Sequence, residues 1–296
     1  MIIINLNGGL GNQMFQYALG ISLSIEKNTE LLIHTQEAQG DDTHNGFELA
    51  RVFGVKAKVA CDKDLSKVLG VRSSAWLMKK LRSRKLGILR GNHYIVEPHF
   101  EYYGEIFNAP RDSFIRGYWQ SEQYFSNVRQ AILQEFVFDN EMSNNNYDSA
   151  AIIKQHISIS IHVRRGDYIS NPKVNKMHGV LSLEYYKRAI AHINNEVQNA
   201  LFILFSDDSD WVKGHLAKNL LPNNNYIVID HNKGDGSYND MRLMSLCSHN
   251  IIANSTFSWW GAWLNQHKEK IVIAPENWFS TNKNKKNLYP KSWVTL

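Results

Sequence analysis

Isoleucine alternates with serine over 157–161, and the run continues through His162 to Val163, a β-branched pattern of period two that predicts a strand with one strongly apolar face. The pattern stops abruptly at Arg164-Arg165-Gly166-Asp167, where the glycine is expected to let the backbone turn. Beyond it, apolar periodicity predicts helices over 181–197, 210–220, 238–247 and 257–266. Between them it predicts strands over 201–205, 226–229, 251–253 and 271–274. Strands alternating with helices at this spacing make a parallel, doubly wound sheet, and right-handed crossovers bring successive strand ends to one edge.

The first half repeats the theme less regularly. Residues 2–6 read as a buried strand, and Gly8-Gly9-Leu10-Gly11 as a tight turn into a helix carrying Met14, Tyr17, Ala18, Ile21 and Ile25 on one side. A dinucleotide fingerprint would need a third small residue where Met14 stands, and an acid after the next strand, which instead ends in His34-Thr35. Neither is present, and no P-loop pattern occurs. Residues 41–45 are polar and loop-like, and 47–59 return to a short helix and strand. Six basic residues lie among apolar ones over 76–90, which suits either an amphipathic segment on an anionic membrane or a solvated basic face, the plainer of the two. Residues 139–149, with their Asn144-Asn145-Asn146 run, are polar and without period, and mark the expected boundary between domains at 1–145 and 150–296.

The chain's 296 residues suffice for two α/β domains, and 43% hydrophobic with 21% charged residues is ordinary for a folded chain. The net charge of +5 suits an anionic ligand or surface, yet is too small and dispersed to imply nucleic acid. Cys61 and Cys247 have no metal-ligand spacing and are expected to be free thiols in a reducing compartment. Residues 1–6 lack the basic start and apolar run of a signal peptide, and no stretch reaches about 18 consecutive apolar residues, so a cytoplasmic protein is expected.

The chemistry concentrates at strand ends, where open α/β sheets bind ligands. Arg164 and Arg165 suit a phosphate because a guanidinium presents a planar fork of donors, and Asp167 is placed to hold one of them. Asp208-Ser209-Asp210 is a literal Asp-x-Asp, but it sits where a helix cap belongs and no partner carboxylates for a metal are identifiable, so capping is the better account. Asn254-Ser255-Thr256-Phe257 ends a strand and opens an apolar helix, and the turn at Gly9 does the same. Both offer free backbone N–H groups to an anion. Tyr118, Trp119 and Gln120, preceded by Glu97 and His99, have the aromatic and planar polar character that sugars need, although aromatics at this density also read as ordinary core. Trp259, Trp260 and Trp263 read as packing.

His162-Val163-Arg164-Arg165-Gly166-Asp167 resembles the His-x-Arg-Arg-x-Asp motif of α1,2-, α1,6- and protein O-fucosyltransferases. With Gly8 to Tyr17, Gly117-Tyr118-Trp119-Gln120-Ser121 and Asn254 to Gly261 in the same order, the chain resembles bacterial α1,2-fucosyltransferases of glycosyltransferase family 11. The resemblance implies a GT-B type α/β fold, two Rossmann-like domains with the active site in the cleft between them. It implies metal-independent, inverting transfer of L-fucose from GDP-fucose to the 2-hydroxyl of a terminal β-galactose. Arg165 and Asp167 become the expected catalytic residues. His162, Arg164, Arg165, Asp207, Asp208, Asn254, Ser255, Thr256, Phe257, Gly9, Asn12 and Gln13 are the expected donor contacts, with Asp207 or Asp208 accepting from the guanine. Tyr118, Trp119, Gln120, Glu97 and His99 are the expected acceptor contacts. The α1,6 relative's later glutamate falls on Pro172 here, so no general base carries over. Eukaryotic members have a membrane anchor. Its absence here implies a bacterial type working on the cytoplasmic side, with peripheral contact to the inner membrane as one expectation. The rivals are a non-catalytic nucleotide-binding protein of this fold and a transferase using another nucleotide sugar.

Overall fold

Both halves of the chain build parallel sheets. The computed structural model describes residues 1–39, 46–223, 225–280 and 287–296, apart from the side chains of Gln39, Arg84, Asp167, Ser170, Lys173 and Val174. These fall into two units, Met1–Asp139 with Asn287 and Leu288, and the remainder. In the first unit β1 (Ile2–Asn5), β2 (Leu31–His34), β3 (Lys58–Val59), β4 (Tyr94–Val96) and β5 (Ser113–Arg116) lie in the order β3-β2-β1-β5-β4. Ile2, Ile3 and Ile4 are fully buried at its centre, and α1 (Leu10–Glu26) follows β1 directly.

The second unit sets β6 (Ser158–Val163), β7 (Leu201–Ser206), β8 (Tyr226–Ile229), β9 (His249–Ile251), β10 (Val272–Ala274) and β11 (Val294–Thr295) in the order β11-β10-β9-β6-β7-β8. β6 pairs with β7 along its whole length and with β9 from Ile159 to Ile161. One face packs Ile159, Ile161, Val163, Phe202 and Leu204 under Tyr185, Tyr186 and Ile190 of a helix at Leu183–Glu196. The opposite face packs Ile203 and Phe205 against Ile153, Leu243 and Met244.

Covering both faces changes the reading of β6. The serines between the isoleucines do not face water: Ser158 and Ser160 are buried, and Ser160 accepts a 2.7 Å hydrogen bond from Asn250. Ile157, counted into the strand by its period, lies just outside it and is exposed. A parallel sheet sandwiched by helices must satisfy polar side chains internally, and serine paired with asparagine does so. The strand expected at 251–253 begins earlier, at His249, because buried His249 and Asn250 find partners: His249 Nδ1 accepts from the Ile271 N–H, and Asn250 also donates to the Met244 carbonyl. The polar stretch at 139–149 is not all loop. A helix runs over Asn144–Gln155, with Asn146 buried and bonded to Ser143 and Asn232, so hydrogen bonding replaces the apolar signal that periodicity looks for. The helix expected over 210–220 starts at Ser209 and contains a π-helical segment, Val212–Ala217. Trp259, Trp260 and Trp263 are fully buried in the helix Thr256–Leu264.

Candidate active site

The carboxyl end of β6 delivers two arginines, and the neighbouring end of β7 delivers the carboxylates that hold them. Arg164 Nη1 lies 3.0 Å from Asp207 Oδ2. Asp207 Oδ1 accepts from the Arg165 backbone N–H at 2.8 Å, which fixes the turn out of the strand. Gly166 opens a short helix, Gly166–Ser170, in ordinary helical geometry rather than in a glycine-only turn. What the position needs is space, since a Cβ there would stand 2.9 Å from Asp207 Oδ2.

Arg165 is held on one side only. Its Nε donates to Asp208 Oδ2 at 3.1 Å, and its guanidinium lies 4.0 Å from the Trp211 ring centroid, a cation–π stack. Trp211 is itself backed by His215, stacked at 5.7 Å. Asp208 Oδ1 meanwhile accepts from the Trp211 N–H, so the acid that clamps the arginine also caps the helix carrying the stacking ring. One of five guanidinium donors is used, and the terminal nitrogens of Arg165 have no partner among the described residues. A half-buried cation with a fixed plane and four free donors is suited to phosphate oxygens.

Three tyrosine hydroxyls tie these strand ends together. Tyr186 donates to the His162 carbonyl, Tyr185 to those of Ile252 and Ile273, and Tyr168 to that of Asn254 at 2.9 Å. Burial raises the ionisation of Tyr185 and Tyr186 well above the ordinary tyrosine range, which keeps them neutral donors. His162 is buried against Phe257, with ring centroids 5.7 Å apart. Burial pushes it down to about 4, so it is neutral at pH 7, and its Nδ1 has no hydrogen-bond partner among the described residues. Asn254 gives its Nδ2 to the carbonyls of His178, Gly179 and Trp278, and its buried Oδ1 has no partner among the described residues. Ser255 caps the next helix through the Phe257 N–H, and Thr256 begins it.

In the first unit the residues expected to meet ligand are mostly committed to the fold. Glu48 brings a carboxylate to the start of α1, accepting from the Leu10 N–H at 3.1 Å, so an internal anion already answers that helix end beside Gly9. Gln13 is fully buried, donates to the carbonyls of Gly8 and Gly46 and accepts from the Glu48 N–H. Its amide is spent on the backbone, which argues against the expected donor contact. Trp119 is fully buried edge-on to Tyr124, so it cannot be a sugar platform. Glu97 accepts from the N–H groups of Tyr118 and Trp119 at 2.8 and 2.9 Å, and burial pushes its carboxyl up to about 7. The turn it holds is tight: Trp119 has φ 56°, and a Cβ on Gly117 would stand 2.4 Å from Glu97 Cβ. Asn12 and Gln120, expected at opposite substrates, form one pair, with Gln120 Nε2 donating to Asn12 Oδ1 at 2.9 Å and Gln120 Oε1 buried without a partner among the described residues. Tyr118 and His99 are exposed.

The geometry thus gathers Arg164, Arg165, Asp207 and Asp208, beside His162 and Asn254 to Phe257, at the strand ends of one sheet. Asp167's side chain lies outside the described residues. The role expected of it, steadying an arginine, is filled by Asp207 and Asp208, which leaves these acids engaged rather than waiting for a base. Trp211, Tyr168, Tyr186 and Gln16 were missed. Gln16 accepts from the Asn7 N–H and donates to the Gly117 carbonyl, tying α1 to the Glu97 turn. Trp211 had a signal, an aromatic three residues after a capping acid beside an arginine pair. Among the described residues no group of three or more His, Cys, Asp or Glu could hold a metal ion, and no helix is long and apolar enough to cross a membrane.

The model of glycosyl transferase family 11 matches residues 94–296. The chain belongs to this family. Among family relatives, the Escherichia coli O-antigen biosynthesis glycosyltransferase WbnK is 34% identical, over 98% of this chain and 99% of its own. An E. coli α-1,2-colitosyltransferase is 31% identical, over 100% of this chain and 99% of its own. The galactoside 2-α-L-fucosyltransferase SEC1 of Bos taurus is 26% identical, over 88% of this chain and 63% of its own. In structure, the family 11 chain resembles the NodZ α-1,6-fucosyltransferase soaked with GDP-fucose, with a TM-score of 0.53 and 15% identity over 89% of this chain and 91% of that one. That likeness establishes the GT-B type α/β fold with two parallel sheets.

Proposed function

We propose that this family 11 glycosyltransferase transfers L-fucose, with inversion, from GDP-β-L-fucose to the 2-hydroxyl of a terminal β-galactose on a surface glycan. The half-tethered Arg165 carries the reading. The acceptor oxygen attacks C1 of fucose from the face opposite the nucleotide, the bond from C1 to the phosphate oxygen breaks, and its electron pair goes to the β-phosphate. Charge grows there as the bond breaks, and the free donors of Arg165, held in plane by Asp208 and Trp211, stabilise it more in the transition state than in the ground state. Arg164 assists from its pairing with Asp207. The hydroxyl proton leaves through water, because Glu97, the acid among the expected acceptor residues, is turned to two backbone N–H groups. In this reading the second unit holds the nucleotide. The first presents Tyr118 and Gln120 to the acceptor. The reaction needs no metal and runs in the cytoplasm.

Linkage is supported by two relatives, one named for α-1,2 and one for 2-α transfer. The colitosyl relative favours a second reading for the donor. Colitose is L-fucose without its 3-hydroxyl, so the same phosphate chemistry serves both, and only the pocket for that hydroxyl differs. A site built to bond a hydroxyl rejects the analogue lacking it by orders of magnitude. The test is transfer to lactose from GDP-fucose and GDP-colitose in competition, with EDTA present. Fucose on the galactose 2-position supports the first reading, and preferred colitose the second. No transfer from either, with GDP still raising the melting temperature, leaves a nucleotide-binding protein.

A further inference from the structure

Residues 65–96 hold eight Lys and Arg and no Asp or Glu, in a chain whose net charge is +5, so everything outside that stretch is net −3. The stretch is thus a local concentration of positive charge, since residues 1–139 as a whole are only +1 and residues 140–296 are net +4. The stretch forms a helix, Ala75–Leu81, and 3-10 turns over Arg84–Leu89. Its inner side packs Leu69, Met78 and Leu81 against Tyr94 and Phe114.

Its outer side is apolar as well as basic. Val71, Trp76, Ile88 and Leu89 are 84%, 63%, 93% and 55% exposed. They belong to one piece of structure: Arg72 Nε donates to the Leu89 carbonyl at 2.7 Å, and Arg90 donates to the carbonyls of Leu81, Arg82 and Ser83. Lys80 Nζ sits 3.9 Å over the Trp76 ring, and Lys67, Lys79 and Lys85 of the same stretch are exposed. Arg82, by contrast, is paired with Glu37.

A solvated basic face accounts for the lysines but not for isoleucine and tryptophan standing in water among them. Scattered apolar side chains on a surface are ordinary, whereas apolar tips grouped among lysines in a stretch of chain without an acid are a recognition surface. The combination matches the boundary of an anionic bilayer, where apolar and indole side chains enter the acyl edge and ammonium groups meet phosphate. We propose that this face docks the first unit on an anionic phospholipid membrane, with Trp76, Ile88, Leu89 and Val71 entering the interface and Lys79, Lys80 and Lys85 reading its charge.

The test is sedimentation of the full chain with vesicles of phosphatidylcholine alone or with about 30% phosphatidylglycerol, the anionic lipid supplying the surface potential. Binding should rise about tenfold or more on the anionic vesicles and fall back in about 0.5 M salt, where screening shortens to a few ångströms. Trp76→Ala with Ile88→Ser should weaken it several-fold at unchanged charge, and Lys79→Gln, Lys80→Gln and Lys85→Gln should abolish the preference for anionic lipid. All variants should keep wild-type turnover on a water-soluble acceptor and a wild-type melting temperature, which separates lost docking from lost folding. Equal binding to both vesicle types would overturn the proposal. So would anionic binding indifferent to the Trp76 and Ile88 changes, which is charge adsorption alone, or displacement from vesicles by RNA at comparable phosphate, which marks a polyanion site.

Discussion

The strand ends of the two units hold polar side chains in comparable places and use them in opposite ways. At the end of β6 the polar groups hold one another so that donors are left over: Asp208 takes Nε of Arg165, Trp211 takes its face, and the terminal nitrogens stay free among the described residues. Around β1 and β4 the polar groups are consumed. Glu48 answers a helix start, Gln13 and Gln16 answer backbone, and Glu97 answers Tyr118 and Trp119. Position on a sheet does not by itself make a ligand site. A side chain serves a ligand when its neighbours fix its plane and leave its donors unpaired.

Arg165→Ala should break the comparison most severely, with kcat down roughly 10²-fold or more because the donors aimed at the leaving phosphate are lost. Arg165→Lys should recover little, since a point-charge ammonium cannot be both clamped and forked. Steady-state kinetics with GDP-fucose checks both. Asp208→Asn should cost less, about three- to tenfold in kcat. Asparagine caps a helix as well as aspartate does, so melting should hardly move while the charge on Nε goes. A large loss of stability with unchanged kcat would reduce Asp208 to a cap.

In the first unit the sign of the effect should reverse. Gln16→Leu leaves the Asn7 N–H and the Gly117 carbonyl without their partner, for about 1–3 kcal/mol of stability by denaturant titration and little change in kcat. The smallest effect should be Glu97→Gln. The Glu97 carboxyl titrates near 7 in the fold against 4.5 when unfolded, so the folded state binds the extra proton between those values. The Glu97 contribution to stability should therefore fall as pH rises from about 4.5 to 7, and the difference between wild type and Glu97→Gln isolates it. Asp240, which burial also pushes up to about 7, adds to that fall, and buried His162, pushed down to about 4, opposes it. Melting curves from pH 5 to 8 read it directly.

How much of this the sequence discloses depends on which interactions decide the outcome. Alternating β-branched residues before an abrupt Arg-Arg locate β6 and the arginines, because backbone period and charge are local properties. The helices and strands after it follow for the same reason. Asn144–Gln155 and the start of β9 were hidden, since Asn146, His249 and Asn250 are polar residues buried through long-range hydrogen bonds that no period records. The same blindness sent Gln13 and Trp119 to a ligand: an amide after a glycine turn and an aromatic in a Tyr-Trp-Gln run look available until backbone partners and burial are counted. Asp207 and Asp208 were seen as strand-end acids, but their pairing with Arg164 and Arg165 depends on β6 and β7 being neighbours.

The most direct test of Arg165's role is the single-turnover rate of fucosyl transfer from GDP-fucose to lactose, measured beside GDP affinity in the wild type and in Arg165→Ala. The rate should fall roughly 100-fold or more while GDP affinity falls less than about tenfold, the signature of an interaction made mainly in the transition state. An unchanged rate, or a rate and an affinity lost by the same factor, would contradict the assignment of Arg165 to the departing phosphate.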